Sequence, residues 1–291
     1  MRYGPSCRVI LSVILIPAGL LAQGLNVSKI DGALGRSGTK SGDTYKVGFP
    51  RTDLHVTLDG VVLKPGLALG SWGAFSGSDT DAVVMGDLVL LQTEVNPVMA
   101  RLRESGFEIT AVHNHLLNEA PHVMYMHYMG HGATTDLAKS LRSALELTKT
   151  PLGKPVPAVK APEPEFVKQV EDALGRKGIF SSGVLAFGVP RADAVRARGM
   201  TIPPSMGVAE SLNFQGAGAG RVATTGDFVL TADEVNPVIS TLEEHHIQVT
   251  ALHNHMLNEE PRLFFMHFWG LGPAASVSSG IKAALEKVHV K

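Results

Sequence analysis

The chain states itself twice. His113-Asn114-His115-Leu116-Leu117-Asn118-Glu119, followed by Pro121 and the pair Met126-His127, returns 140 residues later without a gap. The second copy reads His253-Asn254-His255-Met256-Leu257-Asn258-Glu259, Pro261 and Met266-His267. Ala33-Leu34-Gly35-Arg36 returns as Ala173-Leu174-Gly175-Arg176, and Pro50-Arg51 as Pro190-Arg191. Gly86-Asp87 with Glu94-Val95-Asn96-Pro97-Val98 returns as Gly226-Asp227 with Glu234-Val235-Asn236-Pro237-Val238. Whatever the fold, it is made twice, from two units of ordinary domain size. The part kept most faithfully is a run of imidazoles, a carboxamide and a carboxylate, the chemistry of a metal or acid–base site.

The units span 26–149 and 166–291, joined by a proline-rich stretch, 150–165, whose five prolines predict a semi-rigid extended linker. Matched surfaces predict a pseudo-twofold pair. In each unit a short helix (27–34; 166–174) ends at Gly35 or Gly175, and strands are expected at 45–49, 54–58, 61–63 and 82–91. A helix follows, capped either at Thr93 or Asp233 or by Asn96-Pro97 or Asn236-Pro237. Strands at 107–115 and 123–129 come next, then a helix with Leu137, Leu141, Ala144 and Leu145 on one face. The fold class expected is α+β, two homologous domains, each a mostly antiparallel sheet with helices on one face.

Residues 1–24 read as an export signal: Arg2 and Arg8, an apolar run from Val9 to Ala22, and small residues at Ala22-Gln23-Gly24. The run is broken by Pro17 and Gly19 and is shorter than the roughly 20 residues that span a bilayer, so a periplasmic or secreted chain without a membrane span is expected. The one cysteine, Cys7, precedes that run. A processed chain therefore has no thiol nucleophile, thiolate metal site or disulfide, and its metal ligands must be His, Asp, Glu or Met. Net charge is −1, with no basic block, which excludes nucleic acid and polyanionic surfaces as partners. A small neutral or cationic ligand, or a metal, fits better, and the sequence leaves the oligomeric state open. Nucleophile elbow, phosphate loop and dinucleotide fingerprint are all absent.

Residues two apart on a strand point to one side, so His113 with His115, and His253 with His255, can aim two imidazoles at one ion. The third ligand is Glu119 or His127 in the first copy and Glu259 or His267 in the second. Glu119 and Glu259 are candidates for ligand or general base. A divalent transition metal, zinc first, suits this set. A tight hairpin around Asn118 would put His127 opposite residue 109 or 110, about 10 Å along the sheet from His113. A shared ion then needs either a long folded connection or ligands drawn from both halves. The competing reading is a core of buried histidines bonded to carbonyls, strongest for His127 and His267 among Val123, Tyr125, Met129 and their copies.

Weaker repeats have blander readings. Asp87 and Asp227 read as turn residues, Glu94 and Glu234 as helix-start acids, and Arg51 and Arg191 as exposed structural arginines. Met124, Met126 and Met129, near His122 and His131, suggest copper but fit a core stripe better. The function expected is a metal-dependent hydrolase or lyase acting on a small molecule. The alternatives are a non-catalytic metal- or ligand-binding module and a structural duplication.

The strings Gly86-Asp87-Leu88-Val89-Leu90, Glu94-Val95-Asn96-Pro97-Val98, Thr110-Ala111-Val112-His113-Asn114-His115-Leu116-Leu117 and Met124-Tyr125-Met126-His127, with their copies, resemble the LppY/LpqO-type family of exported bacterial proteins of unknown function. The resemblance covers almost all of the chain after the signal and implies export. The lipid-bearing cysteine of the lipoprotein members is absent. By spacing alone, His113, His115 and His127, or His253, His255 and His267, are also similar to the zinc ligands of acetolactate decarboxylases.

Overall fold

A computed structural model describes Met1 and residues 24–154 and 162–291; most of the expected export signal (2–23) and the centre of the proline-rich joint (155–161) lie outside the described residues. The first unit opens with α1 (Val27–Leu34), capped by the Asn26 side chain and closed by Gly35 at φ 75°. Then come β1 (Thr39–Ser41), β2 (Thr44–Pro50), and an arm of β3 (Thr57–Leu58), β4 (Val61–Val62) and α2 (Pro65–Ala68). The unit ends with β5 (Gly70–Gly77), β6 (Ala82–Leu91), α3 (Gln92–Glu104), β7 (Glu108–His113), β8 (Val123–Gly132) and α4 (Thr134–Leu145).

The second unit repeats this order: α5 (Glu165–Leu174), β9 (Ile179–Ser181), β10 (Val184–Pro190), β11 (Arg196–Ala197) and β12 (Met200–Thr201). A 3-10 turn at Pro204–Met206 replaces α2, and β13 (Ala209–Gly216), β14 (Arg221–Leu230) and α6 (Ala232–Glu244) follow. β15 (Gln248–His253), β16 (Glu259–Glu260), β17 (Phe264–Pro273) and α7 (Ala274–Leu285) close the chain. Each unit carries a six-stranded antiparallel sheet, ordered β1-β2-β5-β6-β8-β7 and β9-β10-β13-β14-β17-β15, and the α+β duplication stands.

Alternation along the central strands assigns the two faces of each sheet. Val84, Leu88 and Leu90 of β6, with Met126 and Tyr128 of β8, join Ile30, Leu34, Val98, Leu102, Leu141 and Leu145 in the helix-side core. The opposite face turns to the other unit. Val89, Val123 and Tyr125 pack with Ala223 and Trp269, while Val83, Met85 and Met129 pack with Val229, Leu263 and Phe265. These two interface clusters are copies of each other. In each, the arm of one unit (Val56, Leu58, Leu63, Leu67; Val195, Ala197, Ile202, Met206) covers the junction. The halves are thus joined sheet to sheet about a pseudo-twofold, with helices outermost.

Three details depart from expectation. β5 and β13 have no counterpart among the expected strands: Gly70-Ser71-Trp72-Gly73 lacks the β-branched residues that advertise a strand. Its glycine serves the fold, since a Cβ on Gly73 would sit 2.8 Å from the Tyr128 hydroxyl. The repeat also slips by one residue here: β2 and β10 pair Pro50 with Gly70 but Pro190 with Ala209, and the 140-residue spacing resumes at Asp87 and Asp227. α3 and α6 are capped at Leu91 and Thr231, whose N–H groups donate to Glu94 and Glu234 at 2.8 and 2.7 Å; neither expected cap is used.

Arg51 and Arg191 are buried, not exposed. Arg51 donates to the Val89 carbonyl (2.7 Å), to Glu94 (2.7 and 3.2 Å) and to Asp53 (2.9 Å), tying the end of β2 to β6 and the start of α3. Arg191 repeats the network with Val229, Glu234 and Asp193. Arg51→Met leaves Glu94 and Asp53 without their cation, a loss that costs about 3–5 kcal/mol at buried pairs. Urea unfolding should register it; a loss below about 1 kcal/mol would return Arg51 to the surface role read from the sequence.

Candidate metal centre

In the middle of each apolar interface strip sits one polar cross-strand pair: Asp87 of β6 opposite His127 of β8, and Asp227 of β14 opposite His267 of β17. Asp87 and Asp227 are therefore mid-strand groups facing the other half, not turn residues. β7 and β15 bring up the other histidines. The strands are not joined by a tight hairpin: residues 114–122 form an open connection, and the register shifts between Ile109 and Ala111. That shift sets His127 opposite Ala111, two residues from His113, so the His113 and His127 rings lie 5.1 Å apart. The separation of about 10 Å expected from a hairpin does not occur.

The pseudo-twofold then merges the copies. The His113 and His253 rings stack across it at 3.4 Å, His115 stacks on His267 at 3.6 Å, and His127 on His255 at 3.7 Å. Tyr125 and Phe265 back the outer rings of His115 and His255 at 3.3 and 3.4 Å. All six expected histidines meet in one place. Their ligand atoms form two groups, each within 4.8 Å: His113 with His115 and His127, and His113 with His253, His255 and His267. Asp87 Oδ2 stands 3.5 Å from His115 Nε2, and Asp227 Oδ2 stands 3.5 Å from His255 Nε2.

Backbone carbonyls fix several tautomers. His113 Nδ1 lies 3.0 Å from the Asn114 carbonyl, His253 Nδ1 3.1 Å from that of Asn254, and His267 Nδ1 2.7 Å from that of Gly226. A carbonyl can only accept, so Nδ1 carries the proton and Nε2 keeps its lone pair. Every one of the six Nε2 atoms is buried without a hydrogen bond, as is one oxygen of Asp87 and one of Asp227. Orphaned polar atoms are normally few and scattered, and here six sit on neighbouring imidazoles, with two more on the aspartates beside them. A core of carbonyl-bonded histidines would have used those nitrogens.

Burial, with neighbouring imidazoles adding to it, depresses the histidines: His113 to about 3, His115, His127, His255 and His267 well below the usual range. His253 falls to about 4 through burial. Burial raises the Asp87 carboxyl to about 7, partly offset by the Lys46 ammonium, and raises Asp227 well above the carboxylate range. At neutral pH the imidazoles are thus the neutral form that ligates metals.

Asn114 and Asn254 tie the halves together. Asn114 Nδ2 donates to Leu116 and to Thr250 of the other unit, at 2.9 and 3.0 Å; Asn254 Nδ2 donates to Met256 and to Thr110, at 3.0 and 2.8 Å. Glu119 and Glu259 lie elsewhere. Glu119 Oε1 accepts from the Val123 N–H (3.1 Å) and lies 2.7 Å from His122 Nδ1, and Glu259 Oε1 accepts from the Leu263 N–H (3.1 Å), so both brace the loops behind the histidines. His131 pairs with Asp81 on the surface, Met126 lies in the helix-side core and Met129 in the interface, so these residues do not gather into a methionine-rich copper site.

A cavity of about 520 Å³ opens onto His115, His127, His255, His267, Asp87 and Asp227. Lys46, Trp72, Glu210 and Asn213 also line it. None of these four belongs to a repeated motif, so the sequence comparison of the halves passed over them.

The family described as Domain of Unknown Function (DUF1259) matches the chain twice, over 28–147 and 168–287, and the chain belongs to it. No curated protein matches. Two solved structures align over most of their length: the trimeric bacterial microcompartment shell protein PduB (10% identity, 87% of this chain and 89% of that one) and EtuB from Clostridium kluyveri (12%, 86% and 90%). Both superpose with a TM-score of 0.20, too low to say anything of fold or role.

Proposed function

We infer that this chain is an exported, metal-dependent hydrolase or lyase of the LppY/LpqO type, with one shared centre built from both repeats. The observation that carries the reading is the six Nε2 atoms, all buried and unbonded, on histidines whose ligand atoms gather in two groups within 4.8 Å, with Asp87 and Asp227 3.5 Å from His115 and His255. His113, His115, His127, His253, His255 and His267 would hold the ion or ions, with Asp87 and Asp227 as carboxylate ligands. Zinc, manganese or iron(II) fits this nitrogen and oxygen set without sulfur. When bound, such an ion polarises a carbonyl or lowers the pKa of a water.

The chain's own groups do the rest. Nδ1 contacts to carbonyls hold the His113, His253 and His267 rings, and the two apolar interface clusters flank the site on either side. An enzyme is favoured over a closed metal carrier because the cavity reaches four of the histidines and both aspartates. Glu119 and Glu259, the candidates for general base, do not line it; whichever of Asp87 and Asp227 is not bound to the ion would serve as the acid–base group. No helix among the described residues is long and apolar enough to cross a membrane.

Chelator-treated protein, incubated with zinc, manganese or iron(II) and desalted, should retain about one to two equivalents by elemental analysis. Glu119→Gln should retain as much as the parent. Retention of none of the three metals would overturn the proposal, and loss of metal in a folded Glu119→Gln chain would restore that carboxylate to the centre.

A further inference from the structure

The eight-atom cradle obeys the pseudo-twofold, but the cavity beside it does not. In the first unit Lys46 of β2 reaches across the ring of Trp72, its Nζ 3.9 Å from the centroid. Trp72 stands opposite Asp87 in the β5–β6 pairing, and its ring edge rests on the second unit: a Cβ on Gly207 would lie 3.0 Å from Trp72 Cη2. The equivalent positions hold Ala186, opposite Asn213, and Ser211, opposite Asp227. One wall therefore presents a cation on an aromatic plate, and its copy presents small residues. Lys46 makes no salt bridge among the described residues, although its charge is felt at Asp87.

The second unit has its own departure. At the position where Ser71 Oγ accepts the Val89 N–H at 2.8 Å, it carries Glu210, whose Oε2 accepts the Val229 N–H at 2.6 Å. A serine suffices for that structural bond. The remaining oxygen, Oε1, is fully buried, has no partner and belongs to a side chain lining the cavity. Burial holds this carboxyl well above its ordinary range, the state in which it can donate a hydrogen bond. An ammonium without an anionic partner and a carboxyl with one unpartnered oxygen thus line one cavity beside the cradle.

We propose that the cavity takes a small organic acid, its carboxylate on the Lys46 ammonium above Trp72, a carbonyl or hydroxyl oxygen directed to the histidine–aspartate cradle, and Glu210 bonded to a further oxygen. The inference rests on the metal reading for the cradle end only. The chain's slight negative charge pointed to neutral or cationic ligands, and Lys46 reverses that locally. Because only one wall carries the cation, the ligand enters in one orientation, and a symmetric cradle serves an asymmetric substrate.

The probes are two short hydroxamates of equal length, one ending in a carboxylate and the other in the corresponding primary amide. Both are titrated calorimetrically into zinc-treated and metal-free protein. The carboxylate should bind about tenfold or more tighter than the amide, the scale of a charge-assisted bond. Lys46→Met should reduce the difference to within about twofold, and Lys46→Arg should keep most of it. Equal binding of the two tails, or a preference that survives Lys46→Met, overturns the proposal. The metal reading is judged separately, by whether zinc tightens both hydroxamates: a tail preference without a zinc effect would leave the acid site standing and the metal centre refuted.

Discussion

Chains carrying His113→Ala and His253→Ala together should retain less than about a tenth of the zinc held by the parent, while His122→Ala retains all of it. His113 belongs to both groups of converging ligand atoms, and its ring lies 3.4 Å from that of His253 across the pseudo-twofold. Removing both opens the middle of the cradle and leaves the outer pairs without a common neighbour. His122 pairs with Glu119 on the loop and is half-exposed, so it serves as the control. Elemental analysis after desalting reads the result. The single variants decide a further point. Were one copy a degenerate scaffold, His113→Ala and His253→Ala would differ sharply; a centre shared between the halves predicts similar losses. Retention of metal by the double variant would sink the shared cradle.

Acidification should be the most severe challenge to the metal-free chain. In the folded protein six imidazoles have pKa values depressed by burial, His113 to about 3 and His253 to about 4, against 6.5 in the unfolded chain. Below pH 6.5 the unfolded state binds protons that the folded state refuses, so this stability is present above 6.5 and is lost as pH falls toward 4. Asp87, raised to about 7, and Asp227, also raised, act oppositely: the folded state binds their protons more readily, which favours it as pH falls below 7. Six groups oppose two, and the histidines prevail. Each net proton changes stability by about 1.4 kcal/mol per pH unit. The urea midpoint of chelator-treated protein should fall steeply between pH 6.5 and 5, whether the chain unfolds or the halves part first. A midpoint that is flat or rising over that interval would mean the imidazoles are not buried in neutral form. Bound metal should be released over the same interval, because protons compete for the Nε2 lone pairs.

Part of this arrangement is legible in the sequence. Two identical His-x-His strings and a third histidine after eleven residues announce the histidine cluster, and the strand signals at 82–91 and 123–129 announce its central strands. The meeting of the copies was present only as one of two options, because spacing along a chain does not say which surfaces of two domains touch. Two misplaced residues share one cause. Asp87 and Arg51 each follow a turn-forming residue, glycine or proline, and that local signal outweighed the long-range partners, His127 and Glu94, which no local pattern contains. Glu119 misled in the other direction: it lies close in sequence to the histidines, but the connection folds it back onto the Val123 N–H. Lys46, Trp72 and Glu210 were invisible to a comparison of repeats because they are the positions where the repeats disagree.

The most direct test of a centre shared by both repeats is anomalous diffraction from crystals of the zinc-treated chain, recorded on either side of the zinc edge. The structure predicts one or two peaks between the facing strands β8 and β17, about 2.0–2.1 Å from Nε2 atoms contributed by both halves. No peak there, or a zinc bound only on the surface at His122 or His131, would contradict it.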